Sequence, residues 1–467
     1  MTIDWQKEAA NRKDDYLADL TTMLRVPSFR DDSQATPDAP LGPGPKQALT
    51  TFLALAERDG FKTKNIDNLV GYAEYGEGDE TLAVLAHVDE MPAGNGWDTD
   101  PFEPTIKDGK LYARGASDDK GPGMAAYYGL KIVKELGLKL NKKVRFIVGT
   151  DEESNWTGMK RYFEVEPAPT LGFSPDAEFP LINGEKGNVS LQVHFGTSDT
   201  GADQLLSFDS GLRENMVPRE AVAVVTTANA TQMTSAFNAF LDQQPVTGEV
   251  KSVADGLQFE VIGKAAHGME PRNGINAGTY LATFLSQYAF AGDAGNFLTF
   301  IATKLHDDSR VNQLGLTFAD DVMGDLTMNV GLLHFDHDQG GDLTLNFRYP
   351  KGIEPADLTS KVKAQVPANT TVTQGSFMVP HYVDPDDPIV KDLMAVYRRQ
   401  TGDQNSQPEI VGGGTYGRMM KRGVAFGALF PHTEDTMHQA NEFQPVADLM
   451  AAMAIYAESI AVLATDK

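Results

Sequence analysis

The 467-residue sequence contains no cysteine, which excludes a disulfide scaffold, a cysteine-based zinc finger and a thiol nucleophile. It also lacks any run of roughly eighteen uncharged apolar residues, so no membrane-spanning segment is expected. Positive charge is scarce. With 40 Lys and Arg against 65 Asp and Glu, the formal charge of −25 repels phosphate backbones and argues against nucleic acid as a partner. The opening, Met1-Thr2-Ile3-Asp4-Trp5-Gln6-Lys7-Glu8, has no basic stretch leading into an apolar one, so no secretory signal is read there. What is present is 41% apolar and 22% charged residues, the balance of a folded chain rather than a disordered one. The length exceeds what one core usually supports. A cytoplasmic, enzyme-sized protein of two domains is the expectation.

Periodicity orders the chain. Tyr16, Leu17, Leu20, Met23 and Leu24 recur at helical spacing before Pro27, and a second helix is expected from Lys46 to Asp59, ending at Gly60. Thr81 to Ala86 is a continuous apolar run, which suits a strand buried on both faces. A helix with Pro122 near its start runs to Gly137, and further apolar runs follow at Val144–Val148 and 170–173. Strands alternating with helices at this spacing predict an α/β fold, a mostly parallel sheet covered by helices. The middle of the chain differs. Val189, Leu191, Val193 and Phe195 alternate with polar residues, as do Leu343, Leu345 and Phe347, so these strands should each have a wetter face. Helical patterns at Ala230–Leu241 and 276–290 lie between such strands. The expected division is a catalytic domain in two parts, 1–186 and 381–467, around an inserted α+β domain, 187–380. In the last part, a helix over 389–399, a strand over 424–429 and a helix over 448–464 are expected. Asp384-Pro385-Asp386-Asp387-Pro388 is a turn-rich candidate hinge.

The chemistry-bearing residues cluster after the apolar runs. His87 follows the first run directly, in Ala86-His87-Val88-Asp89, and functional side chains of open α/β sheets gather beyond the strands' carboxyl ends. Residues two apart on extended chain face the same way, so Asp89 is placed to accept the second ring N–H of His87, as a carboxylate that orients a metal ligand does. A satisfied histidine beside a surface acid is the alternative. Asp118 and Asp119 are adjacent acids, costly to bury unless a cation neutralises them; capping of the next helix is the other reading. Asp151, Glu152 and Glu153 follow the second run, Asp176 and Glu178 the third, and His438 lies near the C-terminus. One glutamate can hold a metal while its neighbour moves a proton. A solvated acidic loop explains each cluster singly, but three successive buried runs ending in His or acids favour a divalent cation. His87, Asp118, Glu153, Asp176 and His438 suffice for two metals if one carboxylate bridges them and each ion keeps an open position for a shared water. Gly412-Gly413-Gly414-Thr415-Tyr416-Gly417-Arg418 lacks the Gly-Lys-Ser/Thr ending of a P-loop and matches no dinucleotide fingerprint. Trp97 is read as packing, and His194, His306, His334 and His337, which show no partner pattern, as surface or core residues.

Several separated stretches, in order, resemble the M20 family of metallopeptidases over nearly the whole chain: Ala86-His87-Val88-Asp89, 113–121 around Asp118, Gly149-Thr150-Asp151-Glu152-Glu153, 174–178 around Asp176, Gly263-Lys264-Ala265-Ala266-His267-Gly268, and Met437-His438-Gln439-Ala440-Asn441-Glu442. The long central insertion is similar to the large lid of dipeptidases in that family rather than to the smaller dimerisation domain of their relatives. The resemblance implies a zinc-peptidase-like α/β sheet flanked by helices, with the lid inserted. It implies two zinc ions bridged by Asp118, one completed by His87 and Asp176 and the other by Glu153 and His438; manganese or cobalt could substitute. Glu152 would be the general base, Asp89 the outer partner of His87, and the Asp118–Asp119 peptide would be cis. His267 would donate to the oxygen that becomes negative in the tetrahedral intermediate. Asn215 and Arg348 would bind substrate from the lid, Arg348 gripping a terminal carboxylate, and Gly413, Gly414 and Thr415 would approach it through backbone. The implied activity is hydrolysis of dipeptides by a di-zinc-activated water in a monomer. An N-acyl-amino-acid deacylase and a catalytically silent binding protein are the other readings.

Overall fold

The apolar run that begins at Thr81 forms a strand, Thr81–His87, buried at every residue but the first. Such a strand belongs in the interior of a parallel sheet, and it lies there. Lys143–Gly149 and Leu171–Ser174 flank it in parallel, and Gly423–Ala425 adds a parallel neighbour to Leu171–Ser174. Outside these four strands the pairing turns antiparallel. Val70–Tyr75 runs against Lys143–Gly149, and Lys62–Ile66 against Val70–Tyr75, because the three residues between those last two strands permit only a hairpin. Ile182–Glu185 runs antiparallel to Gly423–Ala425 in what is altogether a nine-stranded sheet. The sheet is the α/β sheet expected, with parallel pairing confined to its centre.

The structure, a computed structural model, describes residues 3–465; Met1 and Thr2 of the N-terminal stretch read above lie outside the described residues. Two compact units result. The first holds the chain up to Gly184, Tyr382–Ile410 and Gly414 onward; the second holds Glu185–His381 with Val411–Gly413. In the first unit, helices Lys13–Leu24, Pro43–Arg58, Lys120–Glu135 and Val446–Ala464 share one core with the sheet. Pro43 starts its helix three residues before the expected Lys46, where a missing N–H costs nothing. Lys120–Glu135 packs so tightly on Val446–Ala464 that a Cβ on Gly129 would lie 2.9 Å from the Ala457 nitrogen. Val446–Ala464 is long and apolar enough to cross a membrane by length and composition, yet 78% of its most apolar window is buried within the unit. It contains the helix expected over 448–464, and Asp448 and Glu458 interrupt its apolar run. The strand expected over 424–429 is two, Gly423–Ala425 and Ala428–Leu429. The break falls at Gly427, whose φ of +77° and contact with the Phe179 ring leave no room for a side chain.

The second unit is an eight-stranded antiparallel sheet in the order Thr247–Val253, Gly256–Ile262, Glu220–Thr226, Gln204–Ser210, Thr327–Asp336, Gly340–Tyr349, Gly187–Phe195, Thr371–Met378. Helices Ala230–Leu241, Ala277–Leu285, Gly292–Phe300 and Pro355–Lys363 complete its core. The single helix expected over 276–290 therefore ends at Leu285, and a second begins at Gly292. Gly187–Phe195 shows the expected alternation in its second half, with Gln192 and His194 exposed, while Ser190 is buried. Gly340–Tyr349 does not. Thr344, Asn346 and Arg348 are buried, because the strand is paired on both sides and its polar side chains bond across it. Asn346 donates to Asn188 Oδ1 and Ser190 Oγ, each at 2.9 Å, and Thr344 to Gln192 Oε1.

Candidate metal centre

Parallel strands deliver their carboxyl ends to one edge of the first unit's sheet, with His87 in register with Gly149. His87 ends its strand, Glu152 and Glu153 follow Gly149 by a short turn, and Asp176 follows Ser174. Asp118 comes from the loop before Lys120–Glu135, and its peptide to Asp119 is cis. His438 arrives from the C-terminal segment with a left-handed backbone, φ +64°. Such a conformation is uncommon for a residue other than glycine. Residues from positions 87 to 438 thus converge within one unit.

Their geometry is that of a shared carboxylate. His87 Nε2 lies 3.0 Å from Asp118 Oδ1 and 3.6 Å from Asp176 Oδ2. His438 Nε2 lies 2.8 Å from Asp118 Oδ2 and 2.8 Å from Glu153 Oε1. Asp118 therefore offers one oxygen to each side. Two groups of three donor atoms, each within 4.8 Å of one another, emerge: His87, Glu152 and Asp176, and Asp118, Glu153 and His438. Glu152 thus stands in the first group with His87 and Asp176.

The electrostatics show why so many acids need a counter-charge. Burial raises Glu152 well above the usual carboxylate range, reinforced by the charge of Asp176. Burial and the Asp118 charge lift Glu153 to about 7 and Asp176 to about 6. Burial also opposes the ionised form of Asp118, but hydrogen bonds from His438 and His87 outweigh it and hold that carboxyl low. The imidazole of His438 is disfavoured as a cation by burial, yet its bonds to Asp118 and Glu153 lift it to about 11. Acids and imidazoles here compensate by holding protons, the role a divalent cation takes over in such a site. Asp119 Oδ1, next to the shared carboxylate, is buried without a hydrogen bond. Two imidazoles and four carboxylates, gathered in two groups of three donor atoms, fit a pair of borderline divalent cations.

Neighbouring residues hold this arrangement. Asp89 departs from expectation: His87 Nδ1 is 3.1 Å from the Asp89 carbonyl oxygen, which accepts its hydrogen bond, and 3.4 Å from the carboxylate. The carboxylate is engaged by the successive backbone N–H groups of Glu152 and Glu153, each at 3.1 Å. It therefore orients the glutamate turn as well as sitting beside the ring. Asp151 accepts from the N–H groups of Thr157 and Gly158, so it caps Thr157–Val165. Asp119 accepts from the backbone N–H of His87. The sequence reading assigned no role to Arg114 and Glu442, which form a buried pair at 2.5 Å. Both sit inside recognised stretches, but nothing local pairs residues 328 positions apart. Lys120 and Glu90, wholly buried and 2.5 Å apart, were missed for the same reason. Trp97 packs over Arg114 at 5.5 Å, in keeping with a packing role.

The second unit carries Asn215, His267, Arg348 and Gly413; Gly414 and Thr415 belong to the first. Asn215 and His267 lie on adjoining loops: the Asn215 carbonyl accepts from Gly268, and Met216 bridges His267. The backbone N–H of Met269 donates to His267 Nδ1 at 3.1 Å. Arg348 donates from Nε to Asn346 and from Nη1 to the Gly412 carbonyl at 2.7 Å. Thr415 Oγ1 accepts from Gly417, capping a short helical turn. His194 and His334 do have partners, in exposed cross-strand pairs with Asp342 and Asp209.

Comparison with known proteins follows this geometry. The model of peptidase family M20/M25/M40 matches residues 83–461. A Staphylococcus saprophyticus chain is 43% identical over 464 residues, with 98% of each chain covered. The Beta-Ala-Xaa dipeptidase of Lactobacillus delbrueckii subsp. lactis is 40% identical over 469 residues, with 100% of each covered. Among solved structures, an M20 family metallo-carboxypeptidase from Sulfolobus solfataricus superposes with a TM-score of 0.57 at 17% identity, covering 96% of this chain and 98% of that one, and shares its fold.

Proposed function

The chain belongs to peptidase family M20/M25/M40, and from that premise we propose that it is a metal-dependent dipeptidase, hydrolysing the peptide bond of dipeptides that carry a free C-terminal carboxylate. The observation that carries the reading is Asp118, whose two carboxylate oxygens each meet a different imidazole. His87, Asp118 and Asp176 would hold one divalent cation and Asp118, Glu153 and His438 the other, with zinc as the metal we name. Such a pair, when bound, supplies Lewis acidity that lowers the pKa of a water and polarises a carbonyl.

The chain's own residues do the rest. Glu152, steered by Asp89 through its backbone N–H, takes a proton from the attacking water as its oxygen bonds to the scissile carbonyl carbon. It then gives that proton to the amine nitrogen as the C–N bond breaks. His267 accepts the Met269 N–H at Nδ1, so the neutral ring carries its proton on Nε2. From there it donates to the oxygen that gains negative charge. Arg348, its fork oriented by Asn346 and the Gly412 carbonyl, grips the terminal carboxylate, with Asn215 and the backbone of Gly413, Gly414 and Thr415 as further substrate contacts. We take residues 187–380 to act as a lid and the chain to work as a monomer. A cytoplasmic setting suits a protein with no cysteine to oxidise.

The test is a substrate panel on metal-stripped enzyme restored with zinc or manganese. It should include β-alanyl and α-dipeptides, their C-terminal amides, tripeptides, and N-acetyl and N-succinyl amino acids. Metal-dependent turnover of the dipeptides is expected, the β-alanyl arm first given the relative's name. Turnover confined to the N-acyl amino acids would make the protein a deacylase, and no turnover with metal restored would make it a binding protein.

A further inference from the structure

We propose that Glu442 is a positioning residue that ties the loop bearing Asp118 to the loop bearing His438, so that both cation positions are assembled together. Glu442 is completely buried and stands outside both groups of candidate ligands. Its carboxylate is nevertheless fully engaged. Oε1 accepts from the backbone N–H of Ser117 at 2.8 Å and of Asp118 at 3.1 Å, while Oε2 accepts from Arg114 Nη1 at 2.5 Å. Its own carbonyl accepts from Ala113, and Phe443–Pro445 pairs with Lys110–Tyr112. The segment that presents His438, four residues earlier, is thereby fastened to the segment that presents Asp118.

The chemistry explains why the residue is an acid. A buried carboxylate is costly unless charge and lone pairs are satisfied. Arg114 supplies the charge, and the two consecutive N–H groups supply the rest. Those N–H groups belong to Asp118 and the residue before it, so the carboxylate sets the main chain from which the Asp118 side chain projects. Asp118 must turn one oxygen towards His87 and the other towards His438. A loop free to rotate there loses both orientations. Partners of this outer kind change cation affinity by roughly 10- to 100-fold when removed.

The inference rests on the two-cation reading of the cluster, and the experiment separates the two. Metal-stripped wild type and Glu442→Gln are titrated calorimetrically with zinc chloride against a competing chelator, with the melting temperature of each metal-free protein measured alongside. The glutamine keeps an oxygen for one set of donors but turns an amide N–H2 on the other. Wild type should bind two zinc ions, and the variant should bind at least one of them roughly 10- to 100-fold more weakly. If Glu442→Gln does not fold, Glu442→Asp, which keeps the charge for Arg114 but cannot span to both N–H groups, should show the same loss. Two ions bound with affinities within threefold of wild type, even with a lowered melting temperature, would make Glu442 merely structural and overturn the inference. A wild type that binds fewer than two ions overturns the two-cation reading itself.

Discussion

Asp89→Asn is the sharpest perturbation of the proposed catalytic turn. The Asp89 side chain is 2% exposed, so water does not replace what it loses. Its two oxygens accept from the N–H groups of Glu152 and Glu153, each at 3.1 Å. An asparagine is the same size, yet whichever way its amide turns, one N–H2 faces a backbone N–H. One charge-assisted hydrogen bond is then lost with a donor left facing a donor, and the other becomes a neutral bond. Hydrogen bonds to charged groups contribute about 1.5–3 kcal/mol, and leaving a buried donor unpaired costs about 1–3 kcal/mol. A net loss of about 2–4 kcal/mol in the placement of Glu152 follows, which at about 1.36 kcal/mol per decade is roughly 30- to 1000-fold in kcat/KM. If Glu152 is the proposed base, it acts on the transition state, so the loss should appear in kcat more than in KM. The assay is steady-state hydrolysis of a dipeptide, with the metal content of the same preparation determined by elemental analysis. A fully metallated variant within threefold of wild type would refute the reasoning, because the glutamate turn would then hold its place without the aspartate.

Three further outcomes are expected. Glu152→Gln keeps the side chain's size and removes its proton acceptor, so cation content should match wild type while kcat falls by about 10²–10⁴; near-normal turnover would reassign the base. Arg348→Ala removes a guanidinium fork held by Asn346 and Gly412. It should weaken kcat/KM for dipeptides with a free carboxylate by about 10- to 100-fold more than for their amides, and equal losses on both would reject the clamp. Asp19 reports stability rather than catalysis. Burial raises its pKa, but hydrogen bonds from Arg58 and Tyr128 outweigh this and hold it lowered. The stabilisation is therefore present above the unfolded carboxylate value near 4 and is lost as pH falls through the lower folded value. With Arg58 half exposed, Asp19→Asn should cost about 1–2 kcal/mol at neutral pH. In melting curves taken from pH 6 to pH 2.5, the gap to wild type should narrow on acidification; a constant gap would show that the pair does not matter.

Local pattern was enough for much of this protein. The run from Thr81 needed only its own apolar side chains to declare a buried strand, and the 3.6-residue spacing around Pro122 needed only its neighbours to declare a helix. Because parallel strands end on one side of a sheet, His87, Glu152, Glu153 and Asp176 were readable as residues that meet. Periodicity gave out where burial is decided by what lies alongside. The polar face of Gly340–Tyr349 looks wet in sequence and is dry in the fold, because Asn188 and Ser190 on the neighbouring strand satisfy it. Likewise, only the folded chain turns the Asp89 carboxylate onto the Glu152 turn, sets one Asp118 oxygen against each imidazole, and brings Glu442 under Asp118. Hydrogen bonds between residues hundreds of positions apart leave no periodic trace. Spacing along the chain thus determined which residue types stand at strand ends, and tertiary packing decided which atom of each faces which partner.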